Sequence, residues 1–276
     1  MKQIISASRR TDIPAYYLDR LLEFIKQGYA EVRNPYSQKR YRVGLRPEEV
    51  HTLVLWSKNF RRFLENSDSF SRYNLYFLFT INDMPELEPG IPDLRKRLDQ
   101  IHELAVRYGA ERIAWRFDPV IFRSDGPVSG PETFQKIGEH IAQTGITRVI
   151  FSFLDMYGKV KKRNKALNLN LIDPPEAVKV EYAARLAGIA GALGMSLESC
   201  CENLGNIEGI TASSCINGAL LARITGEPAD TSKDKGQRKG CNCTVSRDIG
   251  SYDDMPCPNG CLYCYANPKI ELFERT

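Results

Sequence analysis

The chain has 276 residues, 42% of them hydrophobic and 26% charged, which is the composition of a globular protein large enough for one substantial core or a barrel. Its 38 Lys and Arg stand against 34 Asp and Glu, and a net charge of +4 is too mild to argue for nucleic acid by itself. No apolar stretch is long enough to span a membrane and the N-terminus has no signal-peptide apolar region, so the expectation is a cytoplasmic protein with no membrane partner.

Along the chain, strand-like apolar runs alternate with amphipathic helix-like ones. Residues 4–8 read as a short strand. Residues 16–27 follow as a helix, with Leu18, Leu21, Leu22 and Ile25 at helical spacing. Residues 29–33 are the next strand, and 34–46, with Tyr36, Arg40 and Arg42, a hairpin or irregular insertion. Strands at 51–56 and 75–80 precede a long helix over 92–108, apolar at Leu94, Leu98, Ile101 and Ala105. A strand at 112–117, a helix at 131–144, a strand at 148–154, an Ala-rich helix at 175–193 and a strand at 196–199 continue the alternation. Repeated units of this kind predict an α/β fold with a parallel sheet covered by helices. Their number favours a TIM-like (β/α) barrel, complete or partial, over an open sheet. Residues 225–256, rich in Gly, Lys, Asp and Ser, break the rhythm and read as a loop-dominated module. The predicted organisation is a barrel body over 1–199 and a cysteine-rich segment over 200–276 that packs on the barrel and completes it.

The cysteines are the sharpest signal. None precedes Cys200, and all eight lie beyond it. Cysteines used as small core hydrophobes would be spread through the chain, and in a reducing compartment a cluster reads as metal ligands before disulfides. Cys257, Cys261 and Cys264, at CxxxCxxC spacing with Pro258 and Gly260 between them, suit three corners of a 4Fe–4S cluster and leave a fourth iron open to a small molecule. A zinc knuckle is the alternative. Cys200, Cys215, Cys241 and Cys243, from three segments, suit a second metal site, either an auxiliary 4Fe–4S cluster or a structural Cys₄ zinc. Cys201 points away from Cys200 if the segment is extended, and is left out of that set.

Polar residues gather at the ends of the predicted strands, where barrels place their chemistry. They include Ser8, Thr11 and Asp12, then Ser57, Lys58 and Asn59, then Arg116 and Asp118, then Asp155. Singly each has a plain structural role open to it, such as a helix cap for Asp12 or a rim ion pair for Arg116 and Asp118. His102 and His140 fall on amphipathic helices as exposed or packing residues. The basic run Lys159, Lys161, Lys162, Arg163 and Lys165 lacks interleaved aromatics for base stacking and reads as a solvated loop. No HExxH, Walker loop or GxGxxG occurs, which removes most hydrolase, nucleotidase and dehydrogenase readings.

The segment Cys257-Pro-Asn-Gly-Cys261-Leu-Tyr-Cys264-Tyr-Ala resembles the cluster loop of radical S-adenosylmethionine (SAM) enzymes, closest to the spore photoproduct lyase and DNA-repair-photolyase-like branch. Ser8 to Pro14 and Ser57-Lys58-Asn59 are similar to that branch's Ser-x-Thr-Asp-Pro-like and Thr-Lys-Ser-like segments, and residues 83–98 to its turn and helix. The cluster loop comes last here rather than first, which implies a circular permutation in which this chain's first strand is the family's second. The whole chain is also similar to a prokaryotic family of unknown function related to these proteins. The resemblance implies SAM at the open iron, with Lys58 at its carboxylate. Ser8, Thr11 and Asp12 would lie at its amino group, and Ser57 and Asn59 beside them. Arg116, Asp118 and Asp155 would touch substrate or SAM, and a flavodoxin or ferredoxin would supply electrons. The Gly-Gly-Glu segment of many radical SAM enzymes is absent, and no Cys stands where spore photoproduct lyases carry a hydrogen donor. Whether the substrate is a small molecule or nucleic acid is left open. So are two other functions, a non-radical iron–sulfur protein and a zinc-stabilised nucleic-acid-binding module.

Overall fold

The structure is a computed structural model that describes residues 1–34 and 37–266; Tyr36 of the predicted hairpin lies outside the described residues. The strands are β1 (Gln3–Ala7), β2 (Tyr29–Arg33), β3 (Arg40–Gly44), β4 (Val50–Ser57), β5 (Leu75–Thr80), β6 (Ile113–Val120), β7 (Phe122–Arg123), β8 (Gly126–Pro127), β9 (Arg148–Phe153), β10 (Leu171–Ile172), β11 (Ser196–Ser199), β12 (Ile210–Ala212) and β13 (Arg247–Asp248). The helices are α1 (Ile13–Tyr16), α2 (Leu18–Gln27), α3 (Arg61–Glu65), α4 (Leu94–Tyr108), α5 (Pro131–Ala142), α6 (Gly158–Leu167), α7 (Glu176–Ala192) and α8 (Gly218–Thr225).

Eight strands form one sheet in the order β12-β11-β9-β6-β5-β4-β1-β13. Every pairing in it is parallel. The central strands are apolar almost throughout, as strands covered on both faces must be. Placed ahead of β1, β13 makes the order follow the chain without reversal. Among the described residues β12 and β13 are the two ends of that order.

Alternate residues of each strand face opposite sides. One face, with Leu53, Leu55, Phe77, Phe79, Trp115, Phe117 and Phe151, packs against helix residues including Leu21, Leu104, Phe134 and Leu186. The other face, with Ile4, Val54, Tyr76, Leu78, Ala114 and Ile150, is covered by Cys215, Ile216, Leu221, Cys241 and Cys243. The cysteine-rich region therefore plugs the side of the sheet that the large helices leave open.

Three expectations change. The strand at 29–33 lies outside the main sheet and pairs only with β3, antiparallel; it alternates buried and exposed residues instead of being buried throughout. The basic run over 159–165 is the helix α6, and Arg163 turns inward while its lysines stay exposed. The region beyond residue 200 contributes β12, α8 and β13 as well as loops. Among the described residues no helix is long and apolar enough to cross a membrane.

Candidate functional site

Asp248, in β13, fastens the cysteine loop to the sheet. Its carboxylate accepts from Ser6 Oγ (2.8 Å), Ser8 Oγ (2.7 Å) and the backbone N–H groups of Arg9 and Gly250 (2.9 Å each). Ile5 pairs with Arg247 and Ser6 with Asp248, so the chain leaves β13 at the C-terminal edge of the sheet. The following loop then crosses that edge. The Tyr17 hydroxyl donates to the Pro256 carbonyl at 2.6 Å and the Tyr16 hydroxyl to Asn259 Oδ1 at 2.8 Å. Gly90 N–H bonds the Asn259 carbonyl and Leu262 N–H the Leu87 carbonyl. From the far side Arg163 Nη1 donates to the carbonyls of Leu262 (3.0 Å) and Cys264 (2.8 Å). Cys257, Cys261 and Cys264 are thus held by segments that follow β1, β5 and β9.

Their surroundings hold two of them as thiols. Burial pushes the Cys257 thiol up to about 12, and the Asp12 carboxylate adds to this. Burial also raises Cys261 well above an ordinary thiol, with Lys58 pulling the other way. A metal bound here would have to displace the proton of each thiol.

The residues predicted to hold SAM have partners of their own. Asp12 is buried and accepts from Ala15 N–H (3.1 Å), Ser57 Oγ (2.6 Å), Lys58 N–H (2.9 Å) and Asn259 Nδ2 (3.3 Å). It caps α1 and ties the ends of β1 and β4 to the cysteine loop. Asn59 Oδ1 accepts from Gln100 Nε2 at 3.0 Å, joining this corner to α4. Ser8 belongs to Asp248. The Lys58 ammonium pairs with Glu88 at 2.6 Å, and the Tyr263 hydroxyl donates to the same Glu88 oxygen. Thr11 Oγ1 and Glu88 Oε2 are buried without a partner. Glu88, Asn259, Asp248 and Arg163 were not among the predicted site residues. Arg163 stood in the basic run read as a solvated loop, Asn259 inside the cysteine loop and Glu88 inside the Pro-rich turn 83–90, none of them with a pattern that assigned it a role.

A second cysteine group lies on the inner face. Cys200 Sγ is 3.6 Å from Cys215 Sγ and 4.0 Å from Cys201 Sγ. Cys201 adopts φ +61°, so the segment is not extended there and its side chain joins the group it was expected to leave. Cys201 is held down by hydrogen bonding with Cys200 and Cys241, while Cys200 is pushed up. Ile216 N–H approaches Cys243 Sγ at 3.4 Å. Arg116 pairs with Asp118, which also accepts from Ser152 Oγ, and its Nη1 reaches Cys215 Sγ at 3.6 Å. Asp155 is exposed and pairs with Arg238. Tyr265, next to Cys264, makes a tilted ring contact with Tyr157, 5.3 Å between centroids.

Clefts of about 400 Å³, beside Arg148 and Glu198 at the opposite strand ends, and about 480 Å³, between Ser199 and Ala212, are not lined by a cysteine. Neither coincides with the chemistry described above.

A sheet whose strand order follows the chain, crossed at its C-terminal edge by a three-cysteine loop, defines an α/β protein with a thiol-rich mouth. The chain belongs to the family described as a domain of unknown function, DUF1848, whose model matches residues 4–266. No curated protein matches it.

Proposed function

We propose that the protein is an iron–sulfur enzyme of the radical SAM type, with its cluster on Cys257, Cys261 and Cys264. The observation that carries this reading is the place of the loop: it follows a strand hydrogen-bonded beside β1 and lies across the C-terminal edge of a sheet wound in chain order. That winding, with helices packed on one face, supports an open (β/α) barrel, and the position of β13 supports the permuted relation to radical SAM proteins. When bound, a 4Fe–4S cluster carrying SAM at its open iron supplies one electron that splits SAM into methionine and a 5′-deoxyadenosyl radical.

The chain's own residues position and seal that site. Asp12, Asn259, Tyr16 and Arg163 fix the loop backbone. Lys58 sets a positive charge beside Cys261 while tied to Glu88. Thr11 Oγ1 and Glu88 Oε2 are, with Arg97 Nε and Nη1, among the unpaired buried polar atoms near the loop, and we assign Thr11 and Glu88 to the polar end of SAM. Arg116 and Asp118 in β6 and Asp155 after β9 are the proposed polar contacts of the substrate. A flavodoxin or ferredoxin is the proposed reductant.

The test is anaerobic reconstitution with iron and sulfide, followed by dithionite and SAM. Formation of 5′-deoxyadenosine, lost in Cys261→Ala, supports the reading. Iron without SAM cleavage makes the protein a non-radical iron–sulfur protein. Zinc with no iron uptake makes it a zinc-stabilised module.

A further inference from the structure

The closest thiols of the inner face stand in pairs rather than around a point. Cys200 Sγ lies 3.6 Å from Cys215 Sγ and 4.0 Å from Cys201 Sγ. Among the described residues no three His, Cys, Asp or Glu side chains gather as a metal ion needs. Sulfurs 3.6 Å apart are in van der Waals contact, and a small side-chain turn brings them to the S–S bond length of about 2.05 Å.

The backbone holds both cysteines at that contact. Ser199 pairs with Ala212 in the parallel ladder of β11 and β12, so Cys200 and Cys215 leave strands about 4.8 Å apart at the same edge. Cys200 N–H bonds the Phe151 carbonyl and Ser213 N–H the Ser199 carbonyl, each at 2.8 Å. The turn carrying Cys215 is tied down by Arg148 Nη2 on the Ser214 carbonyl (2.7 Å) and by Ser214 Oγ on the Asn242 carbonyl (2.8 Å). From the sheet, Arg116 Nη1 meets Cys215 Sγ at 3.6 Å. The pair is unequal in access. Cys215 is 3% exposed and Cys200 partly exposed, so a small oxidant meets Cys200 first. Cys201 is the poorer partner, being farther away and able to join its neighbour only through a strained small ring.

A bridge between Cys200 and Cys215 would close the loop 201–214. All the residues lining the cleft of about 480 Å³, Ser199 excepted, fall in that loop. Leu204 anchors it in the helix-side core, while Gly205, Asn206 and Glu208 are exposed.

We propose that Cys200 and Cys215 are a reversible dithiol switch, oxidised by hydrogen peroxide and reset by a dithiol reductant, that fixes the loop 201–214 and the cleft it lines. The Cys200 sulfur takes one hydroxyl of the peroxide as a sulfenic acid, and the other leaves with the Cys200 proton as water. Cys215 Sγ then attacks that sulfur; the S–S bond forms, and the sulfenic hydroxyl leaves with the Cys215 proton as a second water. Two thiols are oxidised and one peroxide is reduced, and a dithiol returns both thiols by exchange. The switch stands whether or not Cys257, Cys261 and Cys264 bind a cluster.

The test treats the full chain, reduced and desalted without oxygen, with hydrogen peroxide and then alkylates the remaining thiols. Cleavage after Glu198, Glu202 and Glu208 puts Cys200 and Cys215 on separate peptides, so mass spectrometry reads a bridge between them directly. The expected result is that linked pair, opened by dithiothreitol, formed equally in Cys201→Ser and absent from Cys200→Ser. Amides over 201–214 are expected to exchange slower by on the order of several-fold in the bridged chain. Cys215→Ser is expected to stop at a sulfenic acid on Cys200 that dimedone traps. A bridge that requires Cys201 overturns the proposal, as do thiols at 200 and 215 that stay open to alkylation while peroxide oxidises the loop cysteines. Protection of both thiols before oxidation, removed by a chelator, overturns it too, because a metal would then hold them. So does a bridge that leaves exchange over 201–214 unchanged. If Cys215→Ser does not fold, the unaltered chain and Cys201→Ser decide by the mapped bridge.

Discussion

At the residue scale the site depends on one buried ion pair. Burial works against the charge on both Lys58 and Glu88, yet each outweighs it for the other. Lys58 is held up by Glu88 and Cys261, while Lys58, Tyr263 and Arg97 hold the Glu88 carboxyl below the usual range. With side-chain exposures of 14% and 1%, neither partner has water to fall back on. Glu88→Gln is therefore expected to destabilise the fold by about 3–5 kcal/mol in urea titrations, because it strands a buried ammonium. A cost under about 1 kcal/mol would mean the pair is solvated. The pH sign follows from the lowered carboxyl. Its stabilisation is complete above the unfolded-state carboxyl value and fades as pH falls through the lower folded-state value. Glu88→Gln should flatten that acid limb of the stability profile. The sequence marked Lys58 as a charge at a strand end but not its partner, because a pair thirty residues apart leaves no local pattern.

At the element scale the question is what keeps so short a strand as β13 in place. Its two residues form few ladder bonds, and the Asp248 carboxylate adds four more acceptor contacts. Asp248→Ala should cost about 1–3 kcal/mol and raise hydrogen exchange in the loop 251–264 before the rest of the sheet. Unchanged exchange there would show that the loop is held by its other contacts alone. Close packing tests the same junction. A Cβ on Gly250 would fall 2.0 Å from Ser8 Oγ and 2.6 Å from Ser8 Cβ, so Gly250→Ala should loosen β13. Gly188, exposed in α7 with nothing within 4 Å of an added Cβ, is the opposite case. Gly188→Ala should raise stability by about 0.5–1 kcal/mol, read as a higher denaturation midpoint. The long elements were legible because their apolar periods are strong: β4, β5, α4 and α7 fall within a few residues of expectation. β13 and α6 were not, since two strand residues have no period and a helix of mostly exposed lysines resembles a solvated loop.

At the scale of the whole molecule, the two faces of the sheet are built differently. Cysteines are absent from the helix-side core, whereas the inner face is covered by Cys215, Cys241 and Cys243 with Ile216 and Leu221. The clustering of cysteines at one end of the chain was visible in the sequence, but their place on the inner face was not. Period-two alternation says which strand residues share a face, not which face the helices take. That asymmetry sets a closely sealed helix-side core against a cover with fewer apolar anchors, which the proposed metal would help to hold. The central strands are sealed by aromatic and aliphatic side chains such as Phe77, Trp115 and Phe151. The cover around 215–243 has fewer apolar anchors and packs its thiols together. Stripping metal by anaerobic chelation should leave amide protection in β4, β5, β6 and β9 nearly unchanged. Amides over 213–244 and 248–264 should exchange faster by on the order of tenfold or more, a local opening that mass spectrometry resolves peptide by peptide. Loss of protection in the central strands at the same metal content would sink this division, because it would make the inner-face cover part of the cooperative core.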